Sequence, residues 1–157
     1  MANEFEIHYH CERLILRFLD LLEADQAAVA DLFASDGEAF GLVGRDAIRE
    51  HFAAIEKVDH NVNLNLCTNL LVNVQNDDRA TATHYLCHYV SDPITNLSDP
   101  MGGQVQGETS VPRSITRWSW SFERVDGQWL ISNMAHPDSV LLRGEVLDDL
   151  RASKSGA

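Results

Sequence analysis

The sequence predicts an α+β fold in which three N-terminal helices close the open side of a strongly curved, mostly antiparallel sheet and leave a pocket between them. Three observations support this class: helical spacing of apolar residues before residue 56, alternation beyond residue 60, and Asp126-Gly127 between two alternating runs. The 157 residues suffice for one domain with a substantial core, but not for two. We therefore predict one cone-shaped domain over residues 1–150 and a disordered tail over 151–157.

The N-terminal part carries the helical patterns. A first helix is predicted from about Asn3 to Leu22, where apolar residues recur three and four positions apart. Asp25 can cap a second helix, which Ser35-Asp36-Gly37 is expected to end. An extended piece over residues 38–43 then leads through Gly44-Arg45-Asp46 into a third helix. The predicted apolar face of this third helix consists of Ile48, His51, Phe52 and Ile55.

Alternation beyond His60 predicts two long strands. The first has apolar residues on even positions and a bulge expected near Thr68. A turn at Gln75-Asn76-Asp77-Asp78 leads into the second strand, Arg79 to Val90. The even-numbered face of the second strand carries Ala80, Ala82, His84, Leu86 and His88.

Residues 113–136 are predicted to form a hairpin, because Asp126-Gly127 tolerates the positive φ of a tight turn. Alternation places Thr116, Trp118, Trp120 and Phe122 on one face of its first arm, and Leu130, Ser132, Met134 and His136 on one face of its second. A wall of large rings with a few polar tips suits a pocket for a flat apolar molecule. A plain hydrophobic core is the alternative interpretation.

Two further segments flank the hairpin. Residues 91–112 contain three of the four prolines, which predicts an irregular loop that acts as a lid, an edge covering or a subunit contact. After the hairpin, Pro137 is expected to end the sheet, and residues 140–151 are expected to form a short helix.

Composition excludes several classes of function. The net charge of −12 and pI of about 4.8 argue against nucleic acid or an anionic membrane as partner, because no basic stripe offsets phosphate repulsion. The odd number of cysteines, Cys11, Cys67 and Cys87, lacks Cys-x-x-Cys spacing, so neither a disulfide framework nor a zinc site is indicated. With no basic leader and no apolar run of about 18 residues, we expect a cytoplasmic protein.

Several runs of the chain resemble the SnoaL-like branch of the nuclear-transport-factor-2-like (NTF2-like) superfamily. The resemblance covers residues 10–136 and is carried by residues 30–37 (ADLFASDG), 44–48 (GRDAI), Thr68-Asn69, Asp78-Arg79-Ala80 and 122–129. These are scaffold motifs, which specify a fold better than an activity. The resemblance implies a cone in which proton-transfer chemistry proceeds mostly without cofactors, as in scytalone dehydratase, ketosteroid isomerase and polyketide cyclases.

The familiar catalytic sets of that superfamily are missing from the matching positions. Where the dehydratase-like group has an aspartate and a histidine, this chain has Leu22 and Asn65. A shift of one residue would offer Glu23 as the carboxylate. The positions of the isomerase tyrosine and general base correspond to Phe18 and Phe40, which are apolar.

Histidines remain as candidates, because imidazole transfers protons near neutral pH. The resemblance directs His84 and His88 into the cone, and we expect one of them or His136 to move the proton while Asn65 or Tyr9 fixes an oxygen. The predicted pocket is lined by Phe18, Leu22, Phe40, His51, Leu86, Trp118, Trp120, Ser132 and Met134. No metal is expected, since strand spacing places His84 and His88 roughly 13 Å apart.

The sequence thus favours a cofactor-independent lyase, isomerase or cyclase acting on a small hydrophobic aromatic or polycyclic molecule. The alternatives are a non-catalytic binder of such a molecule and a dimerisation or assembly module with a filled cone. The resemblance, together with the Thr/Tyr face of residues 81–89, also predicts a homodimer that forms through the outer face of the sheet.

Overall fold

The structure, a computed structural model, describes residues 3–55, 62–91, 111–135 and 137–144. Its elements are α1 (Glu4–Ala24), a 3-10 helix (Gln26–Leu32), β1 (Phe33–Ala39), β2 (Leu42–Val43), α2 (Arg45–Ala53), β3 (Val62–Asn76), β4 (Arg79–Ser91), β5 (Ser114–Val125), β6 (Gln128–Met134) and β7 (Asp138–Leu142). The predicted α+β class, with three helices on a curled sheet, is confirmed.

Helix α1 begins where its sequence provides a cap. The Asn3 side chain accepts a hydrogen bond from the Phe5 backbone N–H at 3.2 Å, and two glutamates in the first turn suit the positive end of the helix dipole. The helix buries a stripe at the predicted three-and-four spacing and ends two residues later than expected. This stripe consists of Ile7, Cys11, Ile15 and Phe18.

The second predicted helix is shorter than expected. It is a single 3-10 segment that ends at Leu32, and Ser35-Asp36-Gly37 lies inside β1 rather than in a helix stop. Strand β1 pairs in parallel with β6, a long-range contact that local pattern could not indicate. The backbones of the two strands lie close together at Gly37. A Cβ at this position would be 3.0 Å from the backbone oxygen of Ile131, so glycine suits the site.

Helix α2 does not present the predicted apolar face. It ends at Ala53 and buries Ile48 and Phe52, whereas His51 and Ile55 are exposed. The helix therefore packs on a narrower stripe than the sequence pattern indicated.

The strands form one mixed sheet in the order β2-β1-β6-β5-β4-β3, with β7 paired to β5. The predicted hairpin is confirmed, and its turn residues Asp126 and Gly127 have φ values of 50° and 82°. Two expectations were wrong: the sheet continues after Pro137, and residues 140–142 belong to β7 instead of a helix. The predictions for residues 92–110, for residues 145–151 of that helix and for the tail over 151–157 lie outside the described residues.

Two bulges decide which side chains face the helices. The register of β3 against β4 shifts between Thr68 and Leu71, near the predicted bulge, so odd residues before it and even residues after it share the inner face. Leu64 and Leu66 consequently lie on the outer face, 46% and 42% exposed, although alternation alone placed them with Val72.

The second bulge lies in β6. Trp120 pairs with Met134 and Phe122 with Ile131, which leaves one extra residue in β6. Ile131 and Met134 are therefore buried, whereas Leu130 and Ser132 are only partly buried, so the predicted face of this arm is wrong.

Candidate functional site

The candidate site is built on the inner face of β4 and β5. Cross-strand pairing sets His84 opposite Trp118 and Ala82 opposite Trp120. Small alanines beside large indoles leave space for the rings to lie across the strands. Phe18 from α1 packs edge-on against both indoles, with ring centroids 6.0 Å from Trp118 and 5.0 Å from Trp120.

Among the described residues, His84 is the one polar side chain that is fully buried, with 1% of its surface exposed. Its ring is nearly parallel to those of Trp118 and Trp120, at centroid distances of 6.2 and 5.9 Å. Neither imidazole nitrogen has a hydrogen-bond partner within the described part of the chain. Buried polar atoms are nearly always paired in native proteins, so an unpaired imidazole marks a place where a ligand or water is expected to bind.

The surroundings keep His84 neutral. Burial lowers the pKa of His84, because an apolar environment disfavours the imidazolium, and the backbone at Tyr85 offsets only part of this effect. That backbone does not reach hydrogen-bonding geometry with either ring nitrogen. At neutral pH the ring therefore supplies one donor and one acceptor, which suits it to accept a proton from a bound molecule.

The two indoles differ in hydrogen bonding. Trp118 donates its Nε1–H to the Thr116 hydroxyl at 2.7 Å. Trp120 is 2% exposed, and its Nε1–H has no partner among the described residues. An unpaired donor and an unpaired imidazole therefore lie on neighbouring rings.

A polar cluster lies further along the same face. His88 Nε2 is 3.3 Å from Asn63 Oδ1, and because an amide oxygen only accepts, this contact places the ring proton on Nε2 and the lone pair on Nδ1. Burial is the main cause that lowers the pKa of His88; the positive charge of Arg113 lowers it further, and the carboxylate of Glu23 raises it. His88 is thus a second neutral imidazole, but its tautomer is fixed by the protein.

Asn65 belongs to this cluster. It pairs directly across from His88, and its Nδ2 donates to Glu23 Oε1 at 3.2 Å. The bulge in β3 gives Asn65 the inward orientation that uninterrupted alternation would have denied it. This carboxylate, Glu23, is the residue that a shift of one position from Leu22 would place where the dehydratase-like group has its aspartate.

The other predicted pocket residues fall into three groups. The first is buried around the indoles and comprises Phe18, Leu86, Trp118, Trp120 and Met134. Leu22 and Phe40 are partly buried and pack against this core. His51 is exposed and meets Phe40 edge-on at 5.7 Å, and Ser132 is partly buried, while His136 lies outside the described residues.

Sequence reasoning missed Asn63 and Arg113 as neighbours of His88. Asn63 could have been found by extending the bulge-shifted alternation two residues back from Asn65 along β3. Arg113 is the first residue of the predicted hairpin, just before β5, and alternation does not predict its contact with His88. No group of three His, Cys, Asp or Glu side chains within the described ranges is arranged to bind a metal ion. No helix in those ranges is long and apolar enough to span a membrane.

A separate groove lies at the turn end of the two hairpins. It is open and bordered by carboxylates, including Asp77, Asp78, Glu123 and Asp126. Arg79, the residue of β4 that lines the groove, is five positions before His84, roughly 16 Å along the strand. With neither buried side chains nor histidines among its lining residues, it is a less suitable place for proton-transfer chemistry than the inner face.

Comparison with known proteins agrees with this architecture. Residues 6–135 match the family model described as SnoaL-like domain. No curated protein is significantly similar to the chain in sequence. An NTF2-like protein with a cystatin-like fold from Novosphingobium aromaticivorans is similar in structure, with a TM-score of 0.64, 18% identity, and 92% of this chain and 88% of that chain covered.

Two further solved structures show the same likeness. ActVI-ORFA from Streptomyces coelicolor gives a TM-score of 0.65 at 15% identity, with 86% of this chain and 98% of that chain covered. A single-residue variant of a protein of unknown function from Mycobacterium tuberculosis gives 0.64 at 22% identity, with 88% of this chain and 79% of that chain covered. At such identities these likenesses concern the fold.

Proposed function

Because the chain belongs to the SnoaL-like domain family, we propose that it is a cofactor-independent lyase, isomerase or cyclase that moves a proton on a small hydrophobic ring compound in the cone. One observation carries the proposal: His84 is buried and neutral beside two neighbouring indoles, with both ring nitrogens unpaired. A buried neutral imidazole with two unpaired nitrogens can act as a general base toward a bound molecule.

The proposed chemistry needs no redox partner. A ring nitrogen of His84 takes a proton from a carbon next to a carbonyl, the C–H electron pair becomes a carbon–carbon double bond, and the carbonyl oxygen gains the negative charge. The imidazolium and the enolate form together as an ion pair, which limits the cost of creating charge in an apolar site. Return of the proton to another carbon completes an isomerisation, and its transfer to a departing hydroxyl completes a dehydration.

His88 is the second candidate for proton transfer. Asn63 fixes its tautomer, and the nearby Glu23 carboxylate would stabilise its charged form. We propose that it exchanges protons between the cone and solvent, and His136 remains a proposed partner in this role. Asn65, which uses one N–H on Glu23, has another with which to hold a substrate oxygen.

The rival proposal is a non-catalytic binder with the same ligand preference. The apolar Leu22 and the amide Asn65 favour it, since neither can titrate where the dehydratase-like group has an aspartate and a histidine. The aromatic side chains of Phe18, Trp118 and Trp120 would bind a flat apolar ligand equally well without any reaction.

Proton exchange distinguishes the two proposals. We expect the protein to accelerate exchange of the acidic protons of 2-tetralone in D2O, followed by proton NMR. Replacing His84 with Gln, which has no titrating nitrogen, should slow the catalysed rate about a hundredfold. His8→Gln is the matched control, because His8 lies on α1 against Glu4 and away from the cone. Unchanged exchange in both His84→Gln and His88→Gln would refute the acid/base role, and binding without exchange would favour the binder.

We also propose that the protein forms a homodimer through the outer face of β3 and β4. The bulge in β3 exposes Leu64 and Leu66 there, opposite Tyr89 and Cys87. An apolar strip along an edge strand suits a second copy of the same strip, because burial of both removes apolar surface from water.

A further inference from the structure

The unpaired indole of Trp120 points to a recognition element that the proton-transfer proposal does not use. A buried N–H without an acceptor has lost its hydrogen bond to water without gaining another, and a bound oxygen atom would remove this cost. Trp120 is 2% exposed, so bulk water does not supply this acceptor. The neighbouring Trp118 differs in this respect, because its indole N–H donates a hydrogen bond to the Thr116 hydroxyl.

The hydrogen-bonding capacities of the two unpaired rings define the missing partner. Trp120 offers one donor, and neutral His84 offers one donor and one acceptor. A hydroxyl group matches this set, since the two lone pairs of its oxygen can accept from the indole N–H and from the imidazole N–H, which leaves the imidazole lone pair for proton transfer. The ring centroids are 5.9 Å apart, so the two unpaired rings are direct neighbours on the inner face.

The surroundings restrict what carries this hydroxyl. The side chains that pack around the two rings are apolar and include Phe18, Ala82, Leu86 and Met134. No cation among the described core residues would offset the negative charge of a carboxylate or phosphate, so the buried end of the ligand should be uncharged.

We infer that Trp120 and His84 together select flat ring compounds bearing a neutral hydroxyl, with Trp120 as a specificity-determining residue. The inference rests on the proposed function only for the position of the ligand in the cone. It concerns equilibrium binding and does not require turnover.

Paired probes test the inference. We expect the protein to bind 2-naphthol at least tenfold more tightly than naphthalene, measured by calorimetry, because its hydroxyl adds two buried hydrogen bonds that are each worth about fivefold in affinity. Trp120→Phe retains a ring but removes the donor, so the ratio of the two affinities should fall to about threefold or less. Trp118→Phe is the matched comparison, and it should retain the ratio whatever it does to overall affinity, because the N–H it removes is already bonded to Thr116.

A measurement on the unaltered protein covers the case in which Trp120→Phe fails to fold. The chain has three tryptophans, so its ¹⁵N spectrum contains three indole N–H signals. 2-Naphthol should move the Trp120 signal downfield, and naphthalene should not. Equal affinity for the two probes, no binding of either, or an unchanged ratio in Trp120→Phe would overturn the inference. Loss of proton exchange with the ratio intact would instead refute only the proposed catalysis.

Discussion

At the residue scale, the character of His84 arises from its immediate neighbours. Alternation along β4 predicted that His84 and His88 share a face, and pairing of both with inner-face residues of β5 agrees. The sequence could not predict that His84 lacks partners, because this depends on how its neighbours use their polar atoms. The Thr116 hydroxyl accepts a hydrogen bond from the Trp118 indole and forms none with the His84 imidazole.

Buried neutral histidines should make stability depend on pH. The pKa values of His84 and His88 are lowered in the folded protein, so below about pH 6.5 the unfolded chain binds protons that the folded chain does not. The free energy of unfolding should therefore fall as pH drops from 7.5 to 5.5, by up to about 1.4 kcal/mol per pH unit for His84. Urea unfolding at several pH values measures this slope, and His84→Gln should reduce it. A slope that His84→Gln leaves unchanged would show that His84 titrates normally.

At the element scale, the sequence predicted the long elements better than their faces. Helix α1, strands β3 and β4 and the hairpin at Asp126-Gly127 follow from periodicity and turn chemistry. Their faces depend on single inserted residues: one bulge turns Asn65 inward and Leu66 outward, and another makes Ile131 rather than Leu130 the buried residue of β6. A bulge reverses the parity of every residue beyond it, so a small local error in register moves a whole set of candidate residues.

Strand β1 illustrates the other limit of sequence reasoning. Its Ser35-Asp36-Gly37 is typical of a helix stop, yet the segment is held as a strand by parallel pairing with β6, about a hundred residues away. Gly37 serves close backbone packing there rather than a turn. Long-range pairing therefore overrides local preference in this part of the chain.

At the scale of the whole molecule, the resemblance predicted the family and the cone but not the chemistry, because scaffold motifs do not specify a site.

The exposed strip on β3 leads to a testable prediction about assembly. Leu66→Glu should convert the proposed dimer to a monomer in light scattering, because it buries two unpaired charges at the interface. Val43→Glu, an equally drastic change at a residue of β2 that is 64% exposed, should leave the mass unchanged. A monomeric mass for the unaltered protein would refute the proposal.

We propose above all that His84 is a buried, neutral imidazole whose unpaired nitrogens bind a ligand inside the cone. Titration of its ring nitrogens by ¹⁵N NMR between pH 8 and 5 tests this most directly, with His84→Gln assigning the signals. We predict that the pKa of the His84 ring lies below 6.5, because burial disfavours the imidazolium, and that 2-naphthol shifts its resonances. Ordinary titration near pH 6.5, with no response to 2-naphthol, would contradict the claim.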